Sequence, residues 1–127
     1  MRNAELMLTW ADGDYTFRLG WGELEGLQEA CDAGPYVILD RLQTSTWRVG
    51  DIAHVIRFGL IGGGKSPVEA LSLVRKWVEA RPPAENLLFA QAILTAGIVG
   101  APDEKPGEAD AANPKGAMPS TTFPTES

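Results

Sequence analysis

The segment GLIGGGKS, residues 59–66, decides the fold. It fits the phosphate-loop pattern G-x-x-x-x-G-K-[ST] without mismatch, through Gly59, Gly64, Lys65 and Ser66. Such a loop works only when it leaves a buried parallel strand and opens a helix whose backbone amides face the phosphates. The approach here is DIAHVIRFGLI, with Ile52, Val55, Ile56 and Leu60 at helical spacing and charges at Asp51 and Arg57. The glycines therefore read as the stop of a helix running over 50–61. Ser66-Pro67-Val68-Glu69 reads as the start of the next: serine as N-cap, proline in the first turn, glutamate closing a capping box. A proline directly after the serine also removes an amide that a phosphate would need. The stretch is read as a corner between two helices, with Lys65 a solvated loop charge, and nucleotide binding is the losing alternative.

Working outward, the helix after the corner spans 67–80, with Ala70, Leu71, Val74, Trp77 and Val78 as its apolar stripe. Arg81-Pro82-Pro83 stops it, and a last helix covers 84–99, apolar almost all round with no charge after Glu85. Such a helix is either the centre of a bundle or has one face awaiting a partner. Before the corner, a helix over 21–33 carries Leu24, Leu27 and Cys31 on one face and ends at Gly34-Pro35. A short one over 36–42 turns Ile38, Leu39 and Leu42 inward. At the amino end, residues 5–10 and 15–19 flank Ala-Asp-Gly-Asp, with Asp12-Gly13 as the turn and Leu6, Leu8 and Trp10 facing Tyr15, Phe17 and Leu19. The reading is a mostly α (α+β) fold: an N-terminal β-hairpin on a compact bundle of about five helices. Residues 1–100 form this domain, and 101–127, with five of the nine prolines and no Leu, Ile or Val, read as a disordered tail.

Composition narrows the function. A chain of 127 residues allows one domain with a real core. Eleven basic residues against seventeen acidic, a net charge of -6, argue against nucleic acid as a partner. No apolar run reaches the ~18 residues of a membrane span, and no secretory signal opens the chain, so a cytoplasmic protein is expected. The lone Cys31 excludes an internal disulfide and a cysteine-rich metal site. His54 is the only histidine and reads as a partly exposed surface residue. The acids Glu23, Glu25, Glu29 and Asp32 read as a solvated helix face, and Cys31 as core. No catalytic residues, cofactor site or metal site are expected. The surplus of apolar side chains favours protein contact, and Phe58, Ile61, Phe89 and Ile93 are the candidate partner-binding residues, against the alternative that all four are core or a homo-oligomer contact.

Several runs taken together resemble a known family: GELE at 22–25, AGP at 33–35, WRV at 47–49, GLIGGG at 59–64, SPVEA at 66–70 and AENLLFAQAIL at 84–94. In this order they are similar to the gene transfer agent and phage tail family of small tail-tube-associated proteins, grouped with tail assembly chaperones. The resemblance runs from the end of the hairpin to residue 100. It implies a non-enzymatic tail assembly factor acting in the bacterial cytoplasm. Its implied partners are the tape measure protein, which such chaperones are thought to hold soluble, and the tail tube protein. A structural component of the tube, carried in a virion-like particle, is the alternative that the resemblance leaves open.

Overall fold

A computed structural model describes residues 4–101; the tail expected over 101–127 lies, beyond Ala101, outside the described residues. Among those described are a two-stranded antiparallel sheet, β1 (Glu5–Trp10) and β2 (Gly13–Arg18), and five α-helices: α1 (Trp21–Cys31), α2 (Pro35–Gln43), α3 (Val49–Gly62), α4 (Pro67–Val74) and α5 (Leu87–Val99). The mostly helical fold with an N-terminal hairpin is as expected. The corner is also as expected, with α3 ending at Gly62 and α4 opening at Pro67.

Three helices start by the same device, a carboxylate in the first turn that accepts from the backbone N–H three residues earlier. Glu23 Oε1 takes Gly20 N at 2.9 Å, Asp51 Oδ2 takes Arg48 N at 2.9 Å, and Glu69 Oε1 takes Ser66 N at 3.0 Å. Only Ser66 completes the box, its Oγ accepting from Glu69 N at 3.1 Å. Each such carboxylate also faces the positive end of its helix dipole.

Helix α3 is the hub, packed against α1, α2, α4, α5 and β2. Its Ile52, Val55, Ile56 and Leu60 are fully buried with Phe17, Leu27, Ile38, Val74 and Leu94. The largely apolar α5 lies against α2, α3 and both strands, and still leaves Leu88 and Val99 in solvent. It is an inner helix without being the central one.

The hairpin differs from the sequence reading by two residues. Trp10 pairs with Gly13, Leu8 with Tyr15 and Leu6 with Phe17, so Ala11 and Asp12 form the turn, Ala11 at φ 57°. A two-residue shift keeps every side chain on its face, so alternation alone cannot choose between the two registers. Tertiary contacts favour the observed one. Leu19 is freed from the strand to bury itself against Gly97, and the Trp10 indole N–H donates to Asn86 Oδ1 at 2.7 Å.

Helix α4 departs from expectation as well. After Val74 its last turn widens into a π-helical turn, Arg75–Glu79, and Pro83–Asn86 forms a 3-10 turn before α5. Pro82 and Pro83 lack the N–H groups that would bond the Val78 and Glu79 carbonyls four residues back, and Asn86 Nδ2 donates to the Trp77 carbonyl at 3.0 Å. Of the predicted stripe, Ala70, Val74 and Val78 are buried and Trp77 half-buried, while Leu71 faces solvent.

Candidate interaction surfaces

The phosphate-loop segment can be judged atom by atom. Gly63 N donates to Gly59 O, Gly64 N to Ile61 O and Lys65 N to Leu60 O, all closing the carboxyl end of α3. Ser66 N is held by Glu69. No amide from 63 to 66 is left for an anion, and Pro67 has none to offer. The loop also stands at the negative end of the α3 dipole. Glu69 holds the slot a phosphate would need, its pKa lowered by the Ser66 backbone and side-chain hydrogen bonds and, less, by Lys65. Lys65 Nζ lies 5.5 Å from the centre of the Tyr15 ring, so it is less solvated than the sequence suggested.

The glycines do more than stop a helix. A Cβ on Gly62 would lie 1.7 Å from Arg18 O, and one on Gly63 1.9 Å from Thr16 O. They let the end of α3 approach the β2 backbone itself. Gly64, at φ 118°, then turns the chain into α4.

Asp51, 2% exposed, meets Arg41 at 3.3 Å and joins α2 to the start of α3. Cys31 is buried as expected, its thiol pushed up to about 12 by burial and then by Asp51. His54 is half-buried beside Arg57, with Nδ1 3.1 Å from the guanidinium; burial and then that charge lower its pKa. Among the described residues no group of three or more His, Cys, Asp or Glu side chains could hold a metal ion, and no helix is long and apolar enough to cross a membrane.

The four candidate partner-binding residues do not form one open face. Ile93 is 1% exposed and packs against Gly59, which corrects its placement on a surface: α5 turns this residue toward the hub helix. Phe58 is half-buried, its ring seated where Gly26 leaves room on α1, with the Arg57 guanidinium carbon 4.4 Å above it. Ile61 is half-buried against the core, and Phe89 lines a small cavity with Trp10, Trp77 and Asn86.

Other surfaces among the described residues are open, and two of them lie on α1 and α4. The first is a groove of about 500 Å3 between α1, the start of α2 and the end of α5, lined by Trp21, Leu24, Gln28, Pro35, Tyr36 and Ile98. Trp21 is 74% exposed and Tyr36 73%. Their positions carried a signal. Trp21 shares its helical stripe with Glu25, Gln28 and Asp32, all exposed, so an aromatic on that stripe has no core to enter. The second is a shallower depression of about 390 Å3 on α4 and its π-helical turn, lined by Val68, Leu71, Ser72, Arg75 and Lys76.

The family model described as phage tail tube protein, GTA-gp10, matches residues 3–100, and the chain belongs to that family. This bears out the resemblance drawn from the sequence. No curated protein and no solved structure gives a significant match.

Proposed function

We propose that this tail-family protein is an assembly factor, a chaperone that binds the tape measure protein in the bacterial cytoplasm and assists tube formation around it. The observation that carries the reading is the set of large apolar side chains left in solvent on a small helical body: Met7, Trp21, Tyr36, Val49, Val68, Leu88 and Val99. A long helical partner built of amphipathic segments is the kind of chain that such a surface keeps soluble. The two-stranded hairpin supports the same choice, since tube subunits are generally rich in sheet. The family description favours a second reading, a structural component of the tube itself.

Mass spectrometry of purified particles separates the two. The chaperone reading expects the protein to be absent from particles and to raise the soluble yield of co-expressed tape measure protein; stoichiometric presence in particles overturns it in favour of the second. Phe58, Ile61 and Phe89 remain proposed contacts. Charge substitutions at Phe58 and Phe89 that leave the domain folded and tape measure binding intact would remove them.

A further inference from the structure

We propose that the proline-rich stretch 111–124 of this same chain folds back onto the Trp21 and Tyr36 groove and covers it. The groove is walled in part by the end of α5, through Gly97 and Ile98, and α5 ends at Val99, so the rest of the chain departs from the edge of the groove itself. The thirteen residues 101–113 reach at most ~45 Å when extended, more than a return to an adjoining wall needs. Trp21 and Tyr36 stand in solvent, with Leu24, Pro35 and Ile98 as the apolar remainder of the lining. Open aromatic grooves of this kind take proline-rich segments, whose rings stack on Trp and Tyr with no rotamer entropy to lose. Such segments make no internal hydrogen bonds, and the groove offers their carbonyls the Trp21 indole N–H, the Tyr36 hydroxyl and the Gln28 amide. Residues 111–124, AANPKGAMPSTTFP, supply Pro114, Met118, Pro119, Phe123 and Pro124 as apolar anchors.

Charge selects this stretch over the one before it. From residue 19 to 40 the chain carries Glu23, Glu25, Glu29, Asp32 and Asp40 and no Lys or Arg. Glu25 lines the groove and has no ion-pair partner among the described residues. Residues 102–110 carry four acidic residues against Lys105 alone and are repelled, whereas 111–124 carry Lys115 and no acid. The acidic stretch is therefore the spacer and the one after it the occupant. The depression on α4 is a poorer seat, since Arg75 and Lys76 line it and no aromatic ring does. Tethering makes a weak contact sufficient: a link of this length gives an effective concentration of ~1 mM, so a Kd of ~1 mM covers the groove about half the time. The contact forms within one molecule, whichever role the protein has in the tail. A partner that seats on Trp21 and Tyr36 must displace it, and binds more weakly in proportion to the covered fraction.

The test uses the full chain with Tyr36→p-benzoylphenylalanine, which puts a photo-crosslinking ring at a side chain already in solvent, and thermal melts as the folding control. Irradiation is expected to give a product that migrates as a monomer and whose digest joins α2 to a peptide within 111–124. Adding Met118→Ala and Pro119→Ala should cut that yield at least ~3-fold, as the loss of two anchors from a half-occupied contact does. Lys115→Glu should cut it as well, and added salt should not rescue the anchor variant. A second reading needs no label in the groove: with all four tryptophans as fluorotryptophan, the 19F resonance of Trp21, assigned by its loss in Trp21→Phe, should move in the anchor variant while those of Trp10, Trp47 and Trp77 stay. Cross-links only between copies, only to residues outside 111–124, or none at all overturn the proposal. So does an anchor variant whose yield and Trp21 resonance match those of the unaltered chain.

Discussion

The corner at 59–66 and the groove at Trp21 and Tyr36 are opposites. The corner carries the most specific motif in the chain, yet each of its amides from 63 to 66 is bonded within the molecule, and a carboxylate of its own holds the anion position. The groove matches no motif, yet it leaves two large aromatic side chains in water. A motif describes the residue types a site needs; only the hydrogen-bond accounting says whether the groups are free to act. For this chain the motif marks architecture, and the exposure that no motif explains is the feature left to test.

The sharpest way to break that contrast is at the corner. Gly62→Ala would drive a Cβ into Arg18 O, a backbone atom that cannot swing aside. A loss of about 3 kcal/mol or more is expected by urea denaturation, at or above the upper end for overpacking. A loss below about 0.5 kcal/mol, the size usual for surface changes, would show that the contact is not a close one. Next comes Asn86, 3% exposed, which holds the hairpin tip through Trp10 and the π-helical turn through Trp77. Asn86→Ala leaves the Trp10 N–H buried without a partner and should cost about 2 kcal/mol; an unchanged midpoint would refute the staple.

A smaller effect is expected at His54. Its folded pKa lies below the ordinary 6.5, because burial and Arg57 oppose its charge. Between the folded and unfolded values the unfolded chain binds the extra proton, so stability rises with pH through that window. The contribution is complete above about 6.5 and is lost as pH falls toward the lowered folded value. His54→Gln should flatten the stability profile just below pH 6.5, and an unchanged slope there would exclude this source. The smallest change belongs to the groove: Trp21→Ala should alter stability by no more than about 0.5 kcal/mol, as for other surface substitutions. A large loss would make Trp21 a packing residue and erase the contrast.

Much of the architecture could be read beforehand. The helix boundaries followed from local chemistry, Gly34-Pro35 and Ser66 through Glu69, because caps and breakers act within a few residues. The hairpin register did not, since parity is blind to a shift of two and Leu19 and Asn86 made the choice from afar. The close approach of Gly62 to β2 was equally hidden, because it depends on another element's backbone. Ile93 was read as a contact residue with the core as its alternative, and it is the alternative that the burial of its side chain favours. Apolar residues surround α5, so periodicity could not say which side is buried. Trp21 stood on the acidic stripe of α1, where the pattern already separated it from the core.

Cys31 gives the molecule a built-in stopwatch. It is the only thiol in the 127 residues, it is buried, and with its pKa at about 12 almost none of it is thiolate at neutral pH. An alkylating reagent can reach it in the reactive form only when α1 lifts from its neighbours, so labelling followed by mass counts openings one molecule at a time.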